Sequence, residues 1–342
     1  MHRPFSERCI LTYYFCTYFD RNYLPHGLAL YRSLRDHCPE FRLWVLCMDD
    51  VTYGILGNLD LPGVHTIALG DFERGDEPLL GAKQNRSRVE YYFTCTPSLP
   101  LYIFKTRHEV DMVTYLDADL LFFADPGPLF EEMGEGSVAM IGHRFPPRLL
   151  SRERFGIYNV GWLSFRRDEE ALACLRWWRE RCIEWCYDRV EEGRFADQKY
   201  LDQWPGRFRN VVILEHKGAN VAPWNLANYR LYLREDSAIM VDEQPLLFFH
   251  FQGLKRVNRW MYNPHWSGYG LYPSWVLRRN IYAPYLKELF RVGHDLSAAP
   301  DGGLFPSDAR GWVEQQGSLK FHRILKDVVT GRCLFFINGH VI

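Results

Sequence analysis

Two aspartates one residue apart, Asp117 and Asp119, interrupt an otherwise apolar run, Val113-Thr114-Tyr115-Leu116-Asp117-Ala118-Asp119-Leu120-Leu121-Phe122-Phe123. Val, Tyr, Leu and Phe at this density fit a strand covered on both faces, as in a parallel sheet with helices on each side. Burying two ionised carboxylates inside such a sheet costs several kcal/mol unless something positive meets them. Where the strand leaves the sheet, the pair can face a divalent cation instead. Hard oxygen ligands select magnesium, manganese or calcium over zinc. An Asp-x-Asp that ends a strand also serves simply to start a turn, so the apolar setting is what singles this one out.

Further segments carry chemistry in the same sense. Tyr158-Asn159-Val160-Gly161 leads into a strand, with a glycine that permits close backbone approach. Asp197 and Gln198 stand side by side at the start of a helix, where an acid otherwise acts as a cap. Residues 218–225 form a loop dense in amides, where Trp224 and Asn225 are expected to shape a ligand pocket. In 250–256 a histidine, His250, ends an apolar strand and is followed by Gly253 and two cations, Lys255 and Arg256. His143 and His216 fit structural roles better than acceptor contact.

These residues need a frame. Strands are expected over 10–17, 41–48, 64–69, 113–123, 137–141, 161–165, 211–214 and 246–251. Helices are expected over 27–36, 89–108 (broken by Pro97 and Pro100) and 169–190, and a polar loop over 70–88. Strands alternating with helices imply an open, largely parallel α/β sheet, whose ligands bind outside the carboxyl ends of the strands. The Asp20 turn, the Asp49-Asp50 strand end and the Asp117/Asp119 end would all open on that edge.

The chain has 342 residues with 41 Lys+Arg against 42 Asp+Glu, so no global field points to nucleic acid. Aromatic residues make up 16%, and they crowd 254–342 together with basic residues. Core packing, stacking on acceptor sugars and contact of 255–291 with an anionic membrane are the three roles open to that extension. The nine cysteines have no framework or zinc-site spacing and suit reduced, buried thiols. Residues 1–6 carry no signal-peptide pattern, and a cytoplasmic protein, at most peripheral at the inner membrane face, is expected.

The ordered set of motifs resembles the GT-A glycosyltransferases. It is closest to the retaining family-8 type of glycogenin and the bacterial lipopolysaccharide galactosyl- and glucosyltransferases. Asp20-Arg21-Asn22-Tyr23 matches that family's Asp-x-Asn-Tyr, and Leu116 to Asp119 its Leu-Asp-x-Asp metal motif. Asn159 to Gly161 matches Asn-x-Gly, Asp197-Gln198 the Asp-Gln pair, and His250 to Arg256 the late His-x-x-Gly-x-x-Lys. The resemblance covers about residues 10–256. It implies a GT-A domain over 1–253, Rossmann-like with an open mixed sheet flanked by helices, and the change of composition after it marks 254–342 as a C-terminal aromatic and basic helical extension. The resemblance further implies a Mn2+ or Mg2+ ion on Asp117, Asp119 and His250, a UDP-sugar donor, and a carbohydrate or lipid-linked acceptor. Tyr18, Asp20, Asn22, Asn159, Gly253, Lys255 and Arg256 would hold the donor, with Gln198 or Asp197 beside the anomeric carbon.

There are departures from the family pattern. The phosphate-binding cation falls on Arg256, with Lys255 one place early. The family's arginine ahead of the metal motif has three candidates here, Lys83, Arg86 and Arg88, and Arg86 is expected to reach the donor. An amide is neither nucleophile nor base, so front-face transfer with retention is expected. Inversion with Asp197 as base and nucleotide-sugar binding without catalysis are the alternatives.

Overall fold

The computed structural model describes residues 12–258, 260–298, 326–337 and 340–341. Residues 1–6 and the loop expected over 300–308 lie outside them. The core is a sheet of seven strands, β1 (Tyr13–Phe19), β2 (Phe41–Cys47), β3 (Val64–Ala68), β4 (Met112–Leu116), β6 (Val138–Gly142), β7 (Tyr158–Arg166) and β8 (Val211–Leu214), in the order β3-β2-β1-β4-β7-β6-β8. The pairs β1–β2, β2–β3, β1–β4 and β6–β8 are parallel, while β7 runs antiparallel to both its neighbours. This is the expected α/β architecture, a mixed and mostly parallel sheet.

Alternation along the strands sends side chains to two separate cores. Phe15, Leu43 and Val45 meet α1 (Leu24–His37), α2 (Asp50–Leu59) and α7 (Gly127–Met133) on one face. Cys16, Trp44 and Leu46 meet a helical layer on the other. That layer comprises α3 (Leu69–Glu73), α4 (Glu77–Lys83), α5 (Arg88–Cys95), α6 (Ser98–Thr106) and α8 (Glu169–Glu184).

The loop expected over 70–88 is a correction, because α3 and α4 occupy most of it. Asp76 caps α4 by accepting the Leu79 amide at 3.1 Å and pairs with Arg179 of α8, burying Leu79 and Ala82. One cap and two buried residues suffice for a helix too short to show periodicity. The 89–108 helix breaks at Pro97 into α5 and α6, and Pro100 is tolerated in the first turn of α6. The helix expected to run to residue 190 stops at Glu184, where Trp185 turns extended.

Short elements complete the molecule. β5 (Leu120–Phe122) pairs antiparallel with β12 (Phe248–His250), and α9 (Trp204–Arg207) precedes β8. β9 (Leu231–Leu233), β10 (Ile239–Val241) and β11 (Gln244–Pro245) form a small sheet, as do β13 (Lys255–Arg256), β14 (Met261–Asn263), β15 (Leu334–Ile337) and β16 (His340–Val341).

The aromatic extension divides. Tyr262, Trp266, Tyr269, Tyr282 and Tyr285 are buried with Phe249 and Phe251 of the β12 segment, while Trp260, Tyr272 and Trp275 are exposed. Its helix α10 (Ala283–Ala298) is tied to α1 through Arg32, which pairs with Glu288 at 2.8 Å and Asp295 at 2.9 Å. Among the described residues no helix is long and apolar enough to cross a membrane. The eight described cysteines are free and buried.

Candidate functional site

A cavity of about 820 Å³ opens at the carboxyl ends of β1 and β4. The β5–β12 pairing builds its floor. It sets His250 opposite Leu120, and the Phe251 amide donates to the Asp119 carbonyl at 3.0 Å. His250 Nε2 consequently lies 3.1 Å from Asp119 Oδ1 and 3.6 Å from Asp117 Oδ2. One ligand atom from each of the three residues falls within 4.8 Å of the others.

The donor set fits a divalent cation of the hard or borderline kind, two carboxylates and one imidazole. The imidazole is oriented for it. His250 Nδ1 lies 3.4 Å from Asn220 Oδ1, an acceptor, which leaves the Nε2 lone pair facing the carboxylates. Trp224 packs edge-on against the His250 ring at 5.1 Å, and the Val221 carbonyl accepts the His250 amide at 2.8 Å. The amide-dense loop over 218–225 therefore supports the histidine from behind, and neither Trp224 nor Asn225 lines the cavity. On β7, the bulge opposite Met140 and Ile141 brings Gly161 against the same histidine.

Electrostatics in the cluster follow from burial and proximity. Burial pushes the Asp117 carboxyl up to about 6 against the attraction of His250, with Asp119 adding to the rise. Burial also opposes ionisation of Asp119 and His250. Here their mutual attraction wins, holding Asp119 below the usual carboxylate range and His250 above the usual imidazole value.

Asp20 and Asn22 both line the cavity. The Asp20 carboxylate organises its own turn, accepting the Asn22 and Tyr23 amides at 2.9 and 3.2 Å and the Tyr92 hydroxyl at 3.2 Å. Tyr18 also reaches the cavity, with its hydroxyl 3.2 Å from Thr96 Oγ1. Asn159 and Gln198 line the cavity too: Asn159 Nδ2 donates to Gln198 Oε1 at 3.2 Å, and Gln198 Nε2 donates to the Phe155 carbonyl at 3.0 Å. Lys255 and Arg256 both face the cavity, while Gly253, at φ +79°, makes the turn before them without lining it.

Arg86 is not brought to the cavity. It donates to the Ile183 carbonyl at 3.2 Å and lies over the Tyr187 ring at 3.9 Å, behind α8. Arg88 lines the cavity instead, 3.7 Å from Asp20. The Ser87–Glu90 capping box starts α5 at Arg88 and leaves Arg86 outside the helix. Arg86→Ala, which removes the contacts to Ile183 and Tyr187, should therefore lower the Tm, and Arg88→Ala should leave it closer to the wild-type value.

Several lining residues had no sequence signal. His26 on α1 reaches the cavity and meets the Tyr285 hydroxyl of α10 at 2.6 Å. Burial holds its pKa down at about 4, so it is neutral at physiological pH. Leu289, Phe290 and His294 of α10 line the same space.

No protein-family model matches the chain. It is 31% identical over 319 residues to the uncharacterized protein YfnD of Bacillus subtilis (strain 168), covering 92% of this chain and 99% of that one. The chain belongs to the YfnD family. A second relative from the same organism, the uncharacterized protein YfnF, is 32% identical over 255 residues, covering 72% of this chain and 84% of that one. Similar solved structures stand at lower identity. The galactosyltransferase LgtC in complex with donor and acceptor sugar analogs is 18% identical at a TM-score of 0.49, covering 70% of this chain and 87% of that chain. Mouse xyloside xylosyltransferase 1 is 12% identical at a TM-score of 0.47, covering 71% and 98%.

Asp197, buried beside this YfnD-family chain's candidate metal ligands, yields a pH prediction. Burial raises its carboxyl to about 7 against a hydrogen bond from Thr96, and Asp117 adds to the rise. A carboxyl whose pKa is higher folded than unfolded adds stability at low pH that is lost as pH rises through the folded value. With chelator present, the wild-type Tm should fall relative to that of Asp197→Asn between about pH 4 and 7, from the unfolded to the folded value. Parallel Tm profiles would show that Asp197 is not perturbed.

Proposed function

We propose that this chain is a GT-A glycosyltransferase that moves a hexose from a UDP-sugar to a hydroxyl of a glycan or lipid-linked acceptor, with retention. The observation that carries the reading is the convergence of Asp117, Asp119 and His250 in a cavity that Asn159, Asp197 and Gln198 also line. The volume of about 820 Å³ accommodates a nucleotide-sugar.

Asp117, Asp119 and His250 would hold Mn2+ or Mg2+, which when bound neutralises charge on the diphosphate leaving group. Lys255 and Arg256 supply further cations for phosphate, Arg256 with a guanidinium fork suited to it. Asp20, Asn22 and Tyr18 line the nucleoside end, and Arg88 takes the place expected of Arg86. Asn159, Asp197 and Gln198 offer hydrogen bonds to the sugar hydroxyls. The Gln198 amide leaves front-face transfer, in which the departing phosphate takes the acceptor proton, as the preferred course.

The raised pKa of Asp197 favours a second reading, inversion with that carboxylate as base. The anomeric configuration of the product, read by NMR, separates the two. In this reading the described part of the C-terminal extension closes the acceptor side of the cavity through Leu289, Phe290 and His294. Exposed Trp260, Tyr272 and Trp275 are its candidates for sugar stacking or for contact with an anionic membrane, and vesicle co-sedimentation distinguishes these.

The test is a thermal-shift panel of UDP-, GDP- and CMP-sugars with and without manganese. A UDP-hexose should raise Tm only when manganese is present. Indifference to every nucleotide would refute the reading.

A further inference from the structure

Behind the sugar-binding wall runs a chain of hydrogen bonds that is anchored at three points on the backbone, where donor and acceptor roles are fixed. His143 Nδ1 lies 3.3 Å from the Ile157 carbonyl, which can only accept, so the ring proton sits on Nδ1. The neutral ring then offers its Nε2 lone pair to Asn159 Nδ2, 3.3 Å away. Asn159 is oriented independently, because its Oδ1 accepts the Gly161 amide at 3.1 Å and so must be the oxygen. The second Asn159 amide hydrogen goes to Gln198 Oε1 at 3.2 Å, and Gln198 Nε2 donates to the Phe155 carbonyl at 3.0 Å. No group in this chain can reverse its role without setting donor against donor.

His143 is itself immobilised. Its ring stacks on Phe145 at 4.7 Å and meets the Trp224 edge at 5.3 Å, and Asn225 Nδ2 donates to its carbonyl at 3.1 Å. It does not line the cavity, whereas Asn159 and Gln198 do. Burial holds its pKa near 3, so the ring stays neutral at physiological pH.

We propose that His143 is a positioning residue: by accepting one amide hydrogen of Asn159 it directs the other at Gln198, holding the Gln198 carboxamide in a single orientation toward the donor sugar. The inference rests on the glycosyltransferase reading of the cavity.

The test measures UDP release from UDP-glucose and UDP-galactose with manganese, for wild type, His143→Phe and His143→Gln. Phenylalanine keeps the ring packing but has no acceptor. Its kcat should fall about ten- to hundredfold, the effect of misdirecting one buried hydrogen bond, with donor KM and the manganese-dependent Tm shift retained. Glutamine restores an acceptor and should recover much of that kcat. Wild-type kcat in His143→Phe, a change in KM alone, or a loss that glutamine does not relieve would overturn the proposal. Should His143→Phe fail to fold, the wild-type tautomer decides: a neutral His143 ring protonated on Nδ1, read by 1H–15N NMR, supports the relay, and a ring protonated on Nε2 overturns it. If wild type neither binds nor turns over any UDP-sugar, the glycosyltransferase reading itself has failed. An active wild type with indifferent variants refutes the relay alone.

Discussion

Replacing Asp119 with Asn is expected to lower turnover of a UDP-sugar by about 10³-fold or more, since several kcal/mol of charge stabilisation at the leaving group is removed. The fold should survive. The backbone link that places His250 runs through the Asp119 carbonyl, which accepts the Phe251 amide, and does not involve the carboxylate. Metal-dependent thermal stabilisation should vanish together with activity, because the variant lacks the carboxylate lying 3.1 Å from His250 Nε2. Circular dichroism, Tm with and without manganese, and UDP release on the same preparation separate loss of the site from loss of the fold. An Asp119→Asn protein that keeps both activity and its manganese response would remove this residue from the site.

Gly161→Ala should be nearly as damaging, for a steric reason. A Cβ at this position would stand 2.7 Å from Asn159 Oδ1 and 2.9 Å from His250 Nδ1, so the methyl group strikes the Asn159 side chain and the candidate metal site together. Neither neighbour can yield easily. Asn159 is held by Gly161's own amide, and His250 is pinned between Trp224 and the β5–β12 pairing. Overpacking of this kind costs about 1–3 kcal/mol, visible as a lowered Tm, and the manganese response should be lost along with activity. Gly206→Ala, where an added methyl meets open space, is the control and should change neither. A Gly161→Ala protein with wild-type Tm and manganese response would show that the bulge relaxes freely.

The acidic half of the candidate metal site was legible because its signal is local: two acids in an apolar strand are an anomaly that a single sequence displays, whereas His250 joined them only through the family resemblance. The antiparallel β5–β12 pairing then brings the histidine to the aspartates. Arg88 was legible in principle, since Ser87 and Glu90 spell the capping box that starts α5 there, but the polar character of 70–88 masked α4 and the helix start behind a loop assignment. Asp20 was marked by its turn motif, although the structure shows its carboxylate largely engaged in holding that turn and Tyr92.

What the sequence concealed depends on pairings across long separations. His26 meets Tyr285 only because α1 and α10 pack together through Arg32, Glu288 and Asp295. The amides of 218–225 read as ligand-binding groups, yet the strand pairing turns them toward the back of His250 and His143. The aromatic density of 254–342 gave no way to tell buried from exposed rings. The register of β14 and β15 and the packing against β12 settle that, burying Tyr262 and Tyr282 and leaving Tyr272 and Trp275 in solvent.

Calorimetric titration of manganese into the full chain, with and without UDP, addresses the centre of this account most directly. One manganese per chain, bound more tightly with UDP present and lost in both Asp119→Asn and His250→Ala, is the predicted result. Binding that ignores UDP, or that survives both substitutions, would contradict a cation held by Asp117, Asp119 and His250 beneath a nucleotide diphosphate.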